Sequence, residues 1–288
     1  MVEILADLAL ARRLERAEGV GGWRFVEARS RLRPDGGFAS REIGGAMAMF
    51  DGTESPITQS FGLGVLSHGS DEELAELEAF FAERGAAVNH EVSPLAGVDL
   101  HARLCRRRYV PVEFTSVLIQ ELHGARAACG EDAPETGSGS PGTDSMVRVR
   151  QIAAGEERVW AETSARGWAE DHPQLVDFLH DIGEVMASTE GTWCLLAEVD
   201  GQPAGVASLR CDAGVALFNG ASTVPALRRR GVQRALLAAR LRLAAEQQCD
   251  LAMMCAQPGS TSQRNAERQG FRIVYTRVKW HRAPGDGS

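Results

Sequence analysis

Several things are scarce in this sequence, and each scarcity excludes something. No run of about 18 apolar residues occurs in its 288 residues, so no membrane span is expected. Positive charge is in deficit: 31 Lys and Arg against 39 Asp and Glu leave a net −8, so bulk electrostatics give no support to general nucleic-acid binding. The six cysteines (Cys105, Cys129, Cys194, Cys211, Cys249 and Cys255) include no C-x-x-C pair. Neither a zinc site nor a disulfide framework is indicated, no metal is expected, and scattered thiols fit a reducing cytoplasm. Tyrosine is reduced to Tyr109 and Tyr275. The opening "MVEILADLALARRLERAEG" has two acids before any base and reads as an amphipathic helix rather than a signal peptide.

What is present suffices for two domains. Hydrophobic residues make up 44% of the chain, enough to bury sizeable cores. The stretch "ARAACGEDAPETGSGSPGTDS", residues 125–145, is rich in Gly, Ser, Pro and acids and reads as a flexible linker. The expected division is a first lobe over 1–125, a linker over 126–145 and a second lobe over 146–288.

In the second half, "MVRVRQI" alternates as a strand and two helical segments follow. "TWCLLAEVDGQPAGVASLRC" reads as two strands around Asp200-Gly201, and "GVALFNGASTV" as a third. Next come an arginine-rich loop with its helix, the short strand "DLAMMCAQ", the short helix "STSQRNAERQ" and the strand "GFRIVYTRVKW". The first half ends in the same order. It has a strand in "ITQSFGLGVL", a capped helix in "SDEELAELEAFFAERG", a strand in "AAVNHEVSP", a helix in "GVDLHARLCRRR" and a strand in "YVPVEFTSVLIQEL". Pro94 follows one short strand as Pro258 follows the other, and the pattern predicts a diverged duplication.

The halves differ most at one helix start. Where the first has "GSDEEL", the second has "RRRGVQ". A helix N-terminus carries partial positive charge, so carboxylates belong there and cations are mildly unfavourable. Arg228, Arg229, Arg230 and Arg234 reverse that rule. A solvated surface patch is one reading; the other is an anion bound by the free backbone N–H groups and the helix dipole.

The segment "GASTVPALRRRGVQRALLAARL" resembles the coenzyme-binding core of the GNAT acetyltransferase superfamily, whose signature is Gln/Arg-x-x-Gly-x-Gly/Ala. Arg228 and Gly231 match; Gln233 departs from the last position. Pro225 and the later Gly270-Phe271 stand where that family has them. The resemblance covers 146 to about 283, and the first half only as an order of elements. It implies an α/β (α+β) protein of two GNAT-like lobes, each a mixed, mostly antiparallel sheet flanked by helices. Acetyl-CoA would bind only in the second lobe, with the amides of Arg229, Arg230, Gly231, Val232, Gln233 and Arg234 cradling the pyrophosphate. The backbone of Ala221 and Thr223 would pair with the pantetheine arm, and Asn265 would flank it or cap locally. The implied reaction is acetyl transfer to the primary amine of a small molecule. Alternatives are a non-catalytic acyl-CoA-binding or sensor protein and a protein or peptide acetyltransferase.

The chemistry is less complete. Many relatives carry a tyrosine four residues before the "GF" glycine, and here that position is Ala266. Tyr275 is the only phenol in the second half available as an acid, and a buried structural tyrosine is the favoured reading of it. Glu198, in the apolar "WCLLAEVDG", is the candidate base if buried, though the turn beside it suggests exposure. Asn219 can polarise but not deprotonate. His172 and His180 flank a helix, and Cys255 reads as core rather than nucleophile. In the first half, Asp51-Gly52 signals a hairpin, with Thr58 and Gln59 as candidates for a cleft.

Overall fold

The structure is a computed structural model that describes residues 6–122, 147–170 and 173–285. The expected linker and His172 lie outside the described residues. Seven α-helices and eleven strands are formed among them. The chain divides into two compact units, Met1–Gln120 with Met253–Ser288, and Glu121–Ala252. This cut differs from the division expected at the linker, because residues 253–288 sort with the first half.

In the first unit, α1 (Leu8–Leu32) starts at Asp7, whose carboxylate accepts the Leu10 N–H at 2.8 Å. Gly19 and Gly22 let it lie directly on β2 (Ala46–Phe50). A Cβ at Gly19 would stand 2.6 Å from Met47 Cε, and one at Gly22 would stand 2.9 Å from Met49 Cε. β2 pairs with β1 (Ala39–Ile43) and β3 (Gln59–Phe61), both antiparallel, and β3 runs parallel to β4 (Val88–Val92). α2 (Asp71–Ala82) has a full capping box: Ser70 Oγ accepts the Glu73 N–H and the Glu73 carboxylate accepts the Ser70 N–H. It buries Leu74, Leu77, Phe80 and Phe81 in a core shared with Val88, Val92, Leu104 and Trp280. Asp51-Gly52 opens a longer loop than a two-residue hairpin. Thr58 Oγ1 closes it, donating to Gly52 O at 2.6 Å and accepting from Asp51 N–H at 2.9 Å.

The cut follows from β11 (Arg272–Arg282). It enters the first unit between β4 and β5 (Val110–Glu121), antiparallel to both, with Val278 opposite Val92 and Thr276 opposite Ser116. The strand order here is β1-β2-β3-β4-β11-β5, followed by β10 (Leu251–Ala256), which the first unit shares from Met253 onward. β4 precedes α3 (Val98–Arg106) and β5 as β10 precedes α7 (Thr261–Arg268) and β11. The duplicated order is therefore present, and each repeat's last strand lies beside the other repeat's inner strand.

The second unit carries β6 (Val147–Gln151), β7 (Thr192–Val199), β8 (Gln202–Asp212) and β9 (Val215–Thr223), antiparallel in the order β9-β8-β7-β6. Helices α4 (Glu157–Trp168) and α5 (Val176–Ala187) pack closely, because Gly183 brings its backbone against Ala161. Trp160 anchors α4 in the core with Cys194, Leu196 and Val206, and its indole N–H donates to Leu195 O at 3.0 Å.

Candidate active site

α6 (Val232–Glu246) begins in an unusual way. Gly231 occupies its N-cap at φ +81°, no side chain caps the first turn, and no acid lies within it. The first intrahelical bond runs from Ala235 N–H to Gly231 O at 2.9 Å. The earlier amides of any α-helix have no acceptor within it, so they point outward from the dipole's positive end. Arg229 takes φ +65°, a left-handed conformation that costs a side-chain-bearing residue free energy and recurs at ligand sites. A Cβ built on Gly231 meets nothing within 4 Å, so the face of the loop is open.

The neighbouring strands are shaped around this loop. Gly205 on β8 lies opposite Thr223, and a Cβ there would come within 2.7 Å of both Val232 Cγ1 and Ser222 O. The missing side chain lets the helix start rest on the sheet. β9 bulges at the same level: Ser222 faces Val206 and Asn219 faces Ser208, so Gly220 and Ala221 stand against Ala207 alone. Gly220 has φ +58°. Ala221 is exposed and Thr223 half-buried.

The four loop arginines divide into two pairs. Arg228 reaches Glu170 at 3.5 Å and Gly167 O at 3.3 Å, tying the loop to the end of α4. Arg230 pairs with Asp200, in the β7–β8 turn, at 3.0 Å. Arg229 and Arg234 make no hydrogen bond or ion pair among the described residues. Two exposed cations thus remain uncompensated beside a positive helix end. Such an arrangement is stable when an anion sits there.

The candidate catalytic side chains are committed elsewhere. Glu198 accepts from Arg150 at 3.0 and 3.2 Å, and Arg150 also binds Glu156 at 2.6 and 2.8 Å. Tyr275 and Asn265 belong to the other unit. The Tyr275 hydroxyl donates to Glu15 at 2.9 Å, and burial pushes its pKa far above the ordinary phenol value. Around it, Arg277, 2% exposed, holds Glu91 at 2.9 Å, Glu18 at 3.3 Å and Glu15 at 3.4 Å. Burial pushes the Glu15 carboxyl up to about 7 against the opposing pull of Arg277. Of the expected acid and base, Tyr275 thus closes a buried charge network and Glu198 is held in an ion pair. Asn265 accepts from Arg268 at 3.2 Å. Cys255 donates its thiol to Glu18 at 3.0 Å, and burial raises its pKa, which suppresses the nucleophilic thiolate. Asn219 accepts from Ser208, and His180 stands 3.9 Å from Glu184.

Residues 153–271 match the model of the acetyltransferase (GNAT) family. The chain carries a GNAT acetyltransferase domain. The matched segment is thus of an acetyltransferase family. A GCN5-related N-acetyltransferase from Kribbella flavida superimposes with a TM-score of 0.64 at 19% identity, covering 96% of each chain. A tandem GNAT protein from the clavulanic acid biosynthesis pathway gives 0.55 at 13% identity over 93% of this chain and 95% of its own. A GNAT-family acetyltransferase from Novosphingobium aromaticivorans gives 0.50 at 15% identity over 92% and 97%. These likenesses establish the fold, including its tandem form. No curated protein matches the sequence significantly. Among the described residues, no group of three or more His, Cys, Asp and Glu could hold a metal ion, and no helix is long and apolar enough to cross a membrane.

The GNAT reading of the sequence missed the residues that shape the site from behind: Gly205, Gly167 and Ser222. A Cβ on Gly167 of α4 would collide with Ser222 on β9. Small residues in "QPAGVAS" and "SARGWAE" were the available signal, visible only once the partner strand is known.

Proposed function

We propose that the protein transfers the acetyl group of acetyl-CoA to the primary amine of a small molecule, by direct attack in a ternary complex. The observation that carries this reading is the open, uncapped N-terminus of α6, with Arg229 and Arg234 uncompensated beside it. The first-turn amides from Arg229 to Arg234 would hold the pyrophosphate, with Gly231 giving the backbone close approach. The bulge at Gly220 and Ala221 leaves backbone groups of Ala221 and Thr223 available to the pantetheine arm. Arg228 and Arg230 act as struts that fix the loop to α4 and to the β7–β8 turn. Acetyl-CoA supplies an activated thioester, so the protein's task is to position it and exclude water. Glu198 and Tyr275 take no proton in this reading; the amine attacks in its neutral form and releases its proton to solvent.

Titration calorimetry with acetyl-CoA, followed by thiol-release assays over an amine panel with mass spectrometry of products, tests the proposal. Micromolar binding with a product 42 Da heavier than one amine is expected, and absence of binding would overturn it. The engagement of both Glu198 and Tyr275 favours a second reading, a non-catalytic acyl-CoA sensor. Binding without turnover against every amine would select it.

A further inference from the structure

Arg29, Arg240 and Arg277 are the buried arginines among the described residues. The protein provides carboxylates for two of them. Arg29 clasps Asp51 with bonds of 2.8 and 3.2 Å, and Arg277 holds Glu15, Glu18 and Glu91. Arg240, on the inward face of α6, has none. It is 3% exposed, and its guanidinium stacks 4.7 Å above the Phe218 ring of β9. Its Nε is sealed without a hydrogen-bond partner, and no carboxylate among the described residues offsets its charge. Burial lowers its pKa only to about 10, so it is charged at neutral pH. A ring face offsets only part of the cost of burying a cation. An arginine presents five donors, and a sealed Nε that none of its surroundings meets marks a buried guanidinium without its counter-charge.

We propose that Arg240 and Phe218 form a seat for a small monovalent anion, of halide or formate size, inside the second unit. It is distinct from the coenzyme loop. Val232 and Arg240 are eight residues apart on one helix, about 12 Å along its axis, so the pyrophosphate at the helix mouth does not reach the guanidinium. The seat ties anion occupancy to the packing of α6 on β9.

The test is thermal melting of the full chain at constant ionic strength, with sodium gluconate replaced stepwise by sodium chloride or sodium formate. The wild type should show a saturable rise in Tm of about 3 °C or more once the small anion exceeds its dissociation constant tenfold. Arg240→Met and Arg240→Gln should each lose that response. A rise with chloride alone assigns a halide seat, and a rise with both assigns one shared with carboxylates. Crystals soaked in bromide should show an anomalous peak within about 3.5 Å of the guanidinium, which decides the matter if neither variant folds. Parallel salt responses in wild type and variants, or bromide-soaked crystals with no peak there, would overturn the proposal.

Discussion

Tyr275→Phe separates a catalytic from a structural hydroxyl more sharply than any other change in the molecule. It removes one oxygen and keeps the ring. In the structure that oxygen donates to Glu15 at 2.9 Å, with both groups buried. Hydrogen bonds to charged groups contribute about 1.5–3 kcal/mol. Tm moves about 2–4 °C per kcal/mol in chains of 150–250 residues, so a fall of about 3–12 °C is expected. The fall should also depend on pH. The Glu15 carboxyl, already pushed up to about 7 chiefly by burial, loses a donor that favoured its charged form. The variant should therefore lose more stability at pH 8, where the carboxylate must stay ionised, than at pH 6. Turnover should remain within about threefold of wild type. A general acid, by contrast, is worth about 10²- to 10⁴-fold in rate. Melting curves at the two pH values and steady-state thiol release together decide it. A hundredfold loss of kcat with an unchanged Tm would refute the structural assignment.

The other expectations are simpler to check. Gly231→Asp should abolish acetyl-CoA binding in titration calorimetry, since it sets a carboxylate in the open mouth of α6. The left-handed φ of +81° should add a folding cost of about 1 kcal/mol, visible in urea melts. Arg277→Met should strand three carboxylates and destabilise the protein by about 3–5 kcal/mol, lowering the denaturation midpoint; a loss under about 1 kcal/mol would mean that the network is not ion-paired in solution. Glu15, raised from 4.5 to about 7, stabilises the fold fully below 4.5 and loses that contribution as pH rises through 7. Glu15→Gln should flatten the decline in stability over that window. His90, lowered by burial from 6.5 to about 3, acts in the opposite sense. Its contribution is present above 6.5 and is lost as pH falls towards 3, so His90→Gln should protect the fold in acid relative to wild type.

Local signals in the sequence carried local structure well. Ser70 and Glu73 announced the start of α2, and both halves of their capping box form. The run "RRRGVQ" broke the charge rule for a helix start, and the helix does begin there, uncapped. What the sequence did not reveal depends on partners far along the chain. Tyr275, Arg277 and Lys279 recur at period two on β11 and so share one face of the strand. Arg277 is covered by Glu15 and Glu18 of α1, a complement some 260 residues away. Alternation shows which side of a strand is apolar but not which strand lies beside it. The position of β11 in the first unit, between β4 and β5, was therefore not readable from pattern. The partner of Glu198 was hidden for a related reason. Its apolar neighbours spoke for burial and the adjacent turn for exposure, and neither pointed to Arg150 on β6, which folds across to it.

The placement of β11 also bears on how the protein is made. A ribosome delivers the chain from its N-terminus at about 5–20 residues per second. β4 is complete long before its neighbour in the sheet exists, because Glu91 and its partner Arg277 are 186 residues apart. Until the last strand arrives, the unit has a gap between β4 and β5, and Glu15, Glu18 and Glu91 have no cation to enter the interior with. Premature burial is thereby disfavoured on both counts. A nascent or truncated chain lacking β11 would keep an open strand edge and three hydrated carboxylates. The exchanged strand thus makes the arrival of β11 a condition for closing the sheet of the first unit.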